Sequence, residues 1–328
     1  MNSSLNCKEV PMIFNSPELF VEAFEKMGYH LKMLQSDTGA FLGKFSLKII
    51  DDFVFCYSYF NIKLVEYGIN PSNYYVIYFA YSPLMTTFNT NKMDGYCVAV
   101  LPPDMEYYSC IDRMEYYAIL VPIKDFDQIL NFCFQLDANY FKQLILKQIS
   151  LQRFLIYQSL FKEIIKTKDL QGSLVKEKIS YLLTILIDDL ISNRIDFQSV
   201  NKFNFNKQKL ISQFIDYVHS HVDGELKLVD ISEKLQINIR TLQRSCQDYL
   251  GLSPNQYIQI LRVNLLREYL NSKQPGQSTI KQAAYTYGFS NLGRMASVYY
   301  NLFNEYPLQT LNKKPLVSDK KLLIQDFL

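Results

Sequence analysis

Hydrophobic positions change their spacing along the chain, and the change separates a β-rich part from a helical part. Up to about residue 135, short runs of aromatic and β-branched residues partly alternate with polar ones, as in "FVFCYSYF". Such runs favour half-buried antiparallel strands of a sheet or barrel. The predicted strands lie in five runs, at 41–50, 53–60, 74–82, 96–103 and 116–123. One helix is predicted ahead of them, with Ser16 as its N-cap, Pro17 in its first turn and Gly28 at its end.

From about residue 137 to residue 195 the spacing becomes helical. "FKQLILKQISLQRFLIYQSLFKEIIK" and "LVKEKISYLLTILIDDLIS" carry apolar residues three and four apart, with a turn expected at "KDLQGS". These two amphipathic helices either cover the sheet or form a dimerisation surface. The polar segment 201–208 is the candidate interdomain linker. The expected units are therefore 1–136, a β-rich regulatory or effector domain, 137–200, the amphipathic helices, and 204–314, a helical domain.

The last third of the chain contains one helix–turn–helix design twice, about fifty residues apart. "LVDISEKLQINIRTLQRSC" and "IKQAAYTYGFSNLGRMASVY" each begin as a short amphipathic helix, break, and continue as a second helix. Asn238 and Ser290 are predicted to cap the second helices, and Gly288 to take a positive φ in the turn. Thr279 and Gln282 form a predicted capping box. The two units are placed at 228–250 and 280–303.

A connecting helix is predicted between the two units. Gly251 ends one helix and Ser253-Pro254 begin the next, in which Tyr257 and Leu261 start an apolar stripe of period four. A helix of about 18 residues is roughly 27 Å long. It would hold the two units near one turn of B-DNA apart, about 34 Å, so that both can enter successive major grooves.

Composition and charge narrow the class of protein. The chain has 328 residues, is 48% hydrophobic and 20% charged, and has no apolar run long enough to cross a bilayer. The polar start "MNSSLNCKEV" is not a signal peptide, and six cysteines without a C-x-x-C pair are typical of a reducing cytoplasm. Residues 204–314 carry 13 Lys and Arg against 8 Asp and Glu, whereas residues 1–203 carry 19 against 22. This asymmetry favours a polyanionic partner for the C-terminal end.

A family resemblance rests on these same residues. "GLSPNQYIQILRVNLLREYL", followed by "TIKQAAYTYGFSNLGRMASVYYNLFNEYPLQTL", resembles the DNA-binding domain of AraC/XylS-family bacterial transcription regulators. Upstream, "VAVLPPDMEYY" and "AILVPIKDFDQIL" are similar to the cupin-like barrel that precedes such domains. The resemblance implies a cytoplasmic regulator, more often an activator, whose partners are double-stranded DNA, RNA polymerase, a small-molecule effector and a second copy of the chain. No membrane partner is expected.

The resemblance also implies which residues contact DNA, because the second helix of each unit lies in a major groove. The outward positions are, in the first unit, Arg240, Thr241, Gln243, Arg244 and Gln247, and in the second, Asn291, Gly293, Arg294 and Ser297. Arg pairs with guanine and Gln with adenine through two hydrogen bonds. The alternative is that these side chains only solvate a surface helix.

The second unit departs from the family pattern at Gly293 and at Tyr300, where a Lys or Arg is common, and the first unit has Gln236 at the turn position. We therefore expect the first unit to dominate base recognition and the second to position the protein and sense DNA shape. Four other basic residues are candidates for phosphate contacts: Lys227, Lys281, Arg262 and Arg267. For Arg262 and Arg267, bracing of the connecting helix is an equal alternative.

Two other functions compete with DNA binding. A cupin-type enzyme needs two or three His for its metal, but the chain has three in all, of which His219 and His221 lie beside the first helix–turn–helix unit. No nucleotide-binding or nucleophile motif occurs, so neither catalysis nor a cofactor or metal is expected. The second competitor is a partner-binding protein that keeps this fold without binding DNA. For the N-terminal part, effector binding and dimerisation both stay open.

Overall fold

The N-terminal part of the chain is a single curved antiparallel sheet. The structure, a computed structural model, describes residues 12–25, 30–89, 91–167, 173–192, 201–273 and 279–312. Within these residues the sheet has ten strands, β1 (Met12–Phe14), β2 (His30–Gln35), β3 (Gly43–Ile50), β4 (Phe53–Phe60), β5 (Leu64–Ile69), β6 (Tyr74–Phe88), β7 (Asn91–Leu101), β8 (Glu106–Ile111), β9 (Met114–Pro122) and β10 (Ile145–Gln148).

The long strand β6 closes the sheet into a half-barrel. The strand order is β1-β3-β4-β9-β6-β8-β5-β2, and β7 pairs with both β6 and β10. The first part of β6 pairs with β9, and its end pairs with β8 after a register shift between Ser82 and Thr86. A bulge of this kind bends a strand, which lets one strand contribute to both sides of a barrel.

The two faces of the sheet have separate hydrophobic cores. Along β6, Ile77 and Phe79 face a core that includes α3 (Leu151–Lys166) and α4 (Ser173–Ile191), whereas Val76 and Tyr78 face the interior of the half-barrel. This alternation is the period-two pattern from which the strand was predicted. The β-rich fold class and its helical layer are therefore confirmed.

The sequence located five strands and missed the others. β4 and β9 lie where predicted, but β2, β5 and β8 were not predicted. Their runs are short and carry charged residues, such as Glu66 in the middle of β5, so they do not have the aromatic pattern of the other strands. The first helix, α1 (Pro17–Glu25), is confirmed, with Ser16 Oγ accepting a hydrogen bond from the Leu19 N–H at 3.4 Å. Gly28, expected at its end, lies outside the described residues.

The helical layer begins later than the spacing predicted. The prediction of continuous helix from about residue 141 is wrong, because β10 pairs with β7 and α3 begins only at Leu151, capped by Ser150. The buried side of α3 and α4 covers the sheet, while Leu155 and Ile156 of α3 stay exposed. Dimerisation through these helices stays a prediction. A short helix, α2 (Ile123–Ile129), links β9 to this region.

The expected linker at 201–208 is not an irregular segment, because helix α5 (Asn201–Ser220) begins there. The C-terminal helices that follow are α6 (Leu228–Lys234), α7 (Ile239–Leu250), α8 (Pro254–Ser272), α9 (Ile280–Thr286), α10 (Leu292–Phe303) and α11 (Pro307–Asn312). None of the helices in the described ranges is long and apolar enough to cross a membrane.

Helix α8 joins two hydrophobic cores. Its first half, with Tyr257 and Leu261, packs with α5, α6 and α7. Its second half, with Leu266 and Leu270, packs with α9, α10 and α11. The C-terminal domain is thus two small helical units mounted on one connecting helix, as the sequence predicted.

Candidate nucleic-acid interface

The first helix–turn–helix unit consists of α6 and α7, at the residues predicted for it. The turn contains Gln236, whose φ of 54° is unusual for a residue that is not glycine. Asn238 is the N-cap of α7, and its Oδ1 accepts a hydrogen bond from the Thr241 N–H at 2.7 Å. The cap lets α7 begin abruptly. The small residue Ser232 of α6 is buried.

The second unit has the same design with a turn that is one residue longer. Gly288 has a φ of 71°, and Thr279 and Gln282 form the predicted capping box. The predicted cap at Ser290 is wrong, because Asn291 caps α10 and its Oδ1 accepts a hydrogen bond from the Arg294 N–H at 2.9 Å. Asn291 caps the helix with its side-chain oxygen and is exposed, and its predicted contact with DNA stays a prediction.

The extra residue changes which positions of the two helices correspond. Counting from the caps Asn238 and Asn291, Arg240 corresponds to Gly293, and Thr241 to Arg294. The buried residues agree with this register, since Leu242, Cys246 and Tyr249 match Met295, Tyr299 and Leu302. The second unit therefore has no side chain where the first presents an arginine.

The outer face of α7 collects all five residues predicted for it. Leu242, Cys246 and Tyr249 are buried on the inner side of the helix. The opposite side exposes Arg240, Thr241, Gln243, Arg244 and Gln247. Asp248 lies at the edge of this face, where its Oδ2 is 3.9 Å from Arg244 Nε and 3.3 Å from Lys207 Nζ. Exposed pairs of this kind contribute little to stability, so Arg244 is available to a ligand.

The outer face of α10 is smaller and less charged. Asn291, Gly293, Arg294 and Ser297 are all exposed on it, but Ser297 Oγ donates a hydrogen bond back to the Gly293 carbonyl at 3.0 Å. A Cβ atom built on Gly293 would have one neighbour within 4 Å, Asn291 Oδ1 at 3.5 Å. Packing within the protein therefore does not require glycine at this position. Arg294 is the one long cation among these four side chains.

Arg262 and Arg267 brace the domain, which is one of the two roles expected of them. Arg262 donates hydrogen bonds to three backbone carbonyls: Nε to Val222 at 3.1 Å, Nη1 to Gly288 at 3.3 Å, and Nη2 to Gly224. It thereby ties the entrance of the first unit to the turn of the second. Arg267 is buried, its guanidinium carbon lies 4.4 Å above the Phe303 ring, and its Nε is 3.5 Å from Glu305 Oε1.

Lys227 and Lys281 lie at the starts of α6 and α9. Lys227 Nζ is 3.2 Å from Glu225 Oε2, and Lys281 Nζ lies 5.9 Å from the centre of the Tyr285 ring. Tyr300 is 40% exposed and stacks on Tyr306 with 4.7 Å between ring centres. Phosphate contacts by the two lysines stay a prediction.

The N-terminal sheet packs directly against this domain, which the sequence did not predict. One hydrophobic core contains Val65, Tyr108 and Cys110 from the sheet together with Phe214 of α5 and Tyr249 of α7. These contacts involve β5 and β8, two strands that the sequence analysis did not predict, and helices that lie far from them in sequence. No local sequence pattern could therefore indicate the contacts.

A polar link stands beside this core, at the end of edge strand β2. Asn264 of α8 exchanges two hydrogen bonds with the Gln35 backbone, and Gln35 Nε2 donates to the Leu302 carbonyl of α10 at 2.7 Å. The Gly39 N–H donates to the same carbonyl at 3.1 Å. The loop after β2 therefore fixes α10 relative to the connecting helix.

Comparison with known proteins agrees with this geometry. Residues 231–313 match a family model described as a helix-turn-helix domain. A probable thc operon regulatory protein of Rhodococcus erythropolis is 27% identical over 101 residues, which are 31% of this chain and 30% of that protein. The XylDLEGF operon transcriptional activator of Pseudomonas putida is 24% identical over 139 residues, 42% of each chain. The chain thus spans less than half the length of these curated relatives.

Two solved structures are also similar. An AraC-type DNA-binding-domain regulator of Chromobacterium violaceum shares 25% identity with a TM-score of 0.32, over 34% of this chain and 97% of that one. ToxT of Vibrio cholerae shares 13% identity with a TM-score of 0.29, over 87% of this chain and 97% of that one. From the matched residues and the two units on α8, the C-terminal third of the chain contains a helix-turn-helix domain.

Proposed function

We propose that the protein is a sequence-specific transcription regulator that binds a bipartite site in double-stranded DNA with α7 and α10. The observation that carries the proposal is the outer face of α7, where five polar side chains stand exposed on a helix whose opposite side is buried. The relatives that match this region are a probable operon regulatory protein and an operon transcriptional activator. A helix that projects from such a unit fits the major groove of B-DNA.

We assign the two helices different tasks. Arg240 and Arg244 have the geometry to pair with guanine, and Gln243 and Gln247 with adenine, so α7 recognises bases. Helix α10 offers Arg294 and a bare backbone at Gly293, which suits close contact with the sugar–phosphate chain and recognition of DNA shape. Lys227 and Lys281, at the starts of the flanking helices, contact phosphates in this proposal.

The N-terminal domain regulates this binding in our proposal. The support is the shared core between the sheet and α7, and the link from Gln35 to α8 and α10. A small effector in the half-barrel would act through these contacts. By analogy with the operon activator, the regulator activates transcription in the cytoplasm by recruiting RNA polymerase, and it acts as a binding protein and not as an enzyme.

Salt dependence of duplex binding tests the proposal. The logarithm of the binding constant falls linearly with the logarithm of the salt concentration. Each phosphate that a cation of the protein neutralises makes the slope of this line more negative by about 0.9. With contacts from Arg294 and the two lysines, and further contributions from α7, we expect a slope of roughly −3 to −5 in fluorescence anisotropy of a labelled duplex. A protein that keeps the fold only for partner interaction would show no salt-dependent binding.

A further inference from the structure

The half-barrel contains a cavity at which all the ionisable side chains among the described residues are acidic. Its volume is about 80 Å³. Glu66 lines it together with an aromatic wall made of Phe24, Tyr78, Phe88, Tyr107 and Tyr116. No lysine, arginine or histidine is among the described residues that line it. This cavity is about half the size of an engineered cavity of about 150 Å³ that holds benzene, so it suits a ligand smaller than benzene.

Glu66 has no positively charged partner among the residues that the structure describes. Its side chain is 6% exposed, and the one hydrogen bond found for it within the described residues comes from Ser109 Oγ to Oε2, at 2.9 Å. A buried carboxylate without a cation is costly, so it either takes up a proton or attracts a cation. Burial accordingly raises the pKa of Glu66 to about 7, and the Ser109 hydrogen bond opposes this shift.

The walls complete a site for a positive charge. Aromatic faces attract ammonium groups, and the attraction strengthens when the cation is shielded from water. The hydroxyl of Tyr78 is buried, lines the same cavity and has no hydrogen-bond partner among the described residues, so it offers a second oxygen. An anionic ligand would meet Glu66 with no cation to balance it.

We propose that the half-barrel binds a small organic cation, a primary ammonium with a short apolar tail, whose charge pairs with Glu66. The inference rests on the proposed function, since it names the chemical class of the effector. The affinity rises with the ionisation of Glu66.

The same strands connect this cavity to the DNA-binding domain. On β5, Glu66 faces the cavity while its neighbour Val65 lies in the core shared with α5 and α7. On β8, Tyr107 faces the cavity and Tyr108 the shared core. Neighbouring residues of a strand point to opposite faces of the sheet. A ligand in the cavity is therefore separated from the core shared with α5 and α7 by the thickness of one strand.

Calorimetric titration of the full chain with three matched probes tests the site. The probes are n-butylammonium, butan-1-ol and butyrate, at pH 8, where Glu66 is ionised. We expect n-butylammonium to bind at least tenfold more tightly than either of the others, and Glu66→Gln to abolish the preference. Glu177→Gln, which removes an exposed carboxylate on α4, is the control and keeps the preference. Equal binding of the three probes, tighter binding of butyrate, or no binding of n-butylammonium overturns the proposal.

The pH dependence in the wild-type chain gives a second readout if Glu66→Gln fails to fold. The other ionisable groups that face the cavity all have raised pKa values because of burial and stay neutral: Cys56, Tyr78, Tyr107 and Tyr116. The affinity for n-butylammonium is expected to rise as the pH increases from about 6 through 7, and to level off near pH 8. A flat profile overturns the proposal. No DNA is present, so these outcomes are independent of whether α7 binds a duplex.

Discussion

The side-chain amide of Asn264 forms two hydrogen bonds with the backbone of Gln35, 229 residues earlier in the chain. Asn264 Oδ1 accepts from the Gln35 N–H at 3.0 Å, and Asn264 Nδ2 donates to the Gln35 carbonyl at 3.1 Å. The amide takes the place of a missing neighbouring strand at the edge of the sheet, and both residues are buried. The contact lies at the middle of α8, between the cores of the two helix–turn–helix units.

Asn264→Ala is expected to destabilise the chain, because it leaves both backbone groups of Gln35 buried without partners. An unsatisfied buried group costs about 1–3 kcal/mol, so we expect the free energy of unfolding to fall by about 2–4 kcal/mol in urea titrations. Asn255→Ala, at an exposed position of the same helix, is the matched control. Equal stabilities of the two variants would show that the link contributes nothing.

Arg240→Ala and Arg244→Ala are expected each to weaken binding to the specific site by about 1–3 kcal/mol and to relax the preference at one base pair. The reason is the loss of a bidentate pair with guanine. Competition binding against duplexes substituted at single positions measures both effects. Lys124→Ala removes an exposed cation from α2, far from α7 in sequence, and should leave selectivity unchanged. If the arginine variants behave like this control, the assignment of the face of α7 is wrong.

Gly293→Ala is expected to separate stability from DNA binding. Alanine is favoured over glycine in a helix by about 1 kcal/mol, and nothing in the protein opposes a Cβ here. Thermal unfolding should therefore show equal or higher stability. Affinity for duplex DNA should fall, because the new methyl group stands where we place the DNA backbone. Unchanged affinity would mean that α10 does not approach DNA at Gly293.

The carboxyl of Glu66 should make stability fall as pH rises. Its pKa is about 7 in the folded chain against an ordinary 4.5, so the folded state keeps a proton that the unfolded state releases. The stabilisation is complete below pH 4.5 and is lost as pH rises through about 7. Relative to Glu66→Gln, the free energy of unfolding of the wild type should fall by roughly 3 kcal/mol across this window.

The titration of His219 changes stability with pH in the opposite direction. The effect of Glu66 must therefore be measured as the difference in unfolding free energy between the wild type and Glu66→Gln. Burial, and secondarily the charge of Lys32, lowers the pKa of His219 to about 4. Its contribution is present above pH 6.5 and is lost as pH falls toward 4. Because both proteins contain His219, this contribution cancels. A difference that does not vary with pH would contradict the burial of an unpaired Glu66.

The sequence predicted the C-terminal domain well because its signals are local. The caps Asn238 and Thr279 and the turn glycine Gly288 act on residues within one helical turn, and the structure confirms them. The exception is instructive. Ser290 and Asn291 are adjacent residues that both cap helices well, and only the packing of Met295 and Tyr299 decides between them. The second helix–turn–helix unit is one residue longer in its turn than the first, and this difference could have indicated that Asn291 is the cap.

The N-terminal domain was less predictable because its decisive contacts are distant in sequence. Edge strand β2 is held by β5 on one side and by Asn264 on the other, which no local pattern encodes. The alternation in β10 is too short to distinguish it from the helix that follows. The sequence analysis did not identify Glu66 as a cavity residue, because a charged residue inside a short apolar run is unusual in a buried strand. In the structure, its carboxyl group points into the cavity.

The most direct test of the account is selection of bound duplexes from a random DNA pool by the full-length protein at near-physiological salt. We predict two enriched blocks about one helical turn, roughly 34 Å, apart. Repeating the selection with Arg240→Ala should change the base preference in one block and leave the other intact. No enrichment by the wild-type chain, or the same enriched sequences from the variant, would contradict recognition of a bipartite site through α7 and α10.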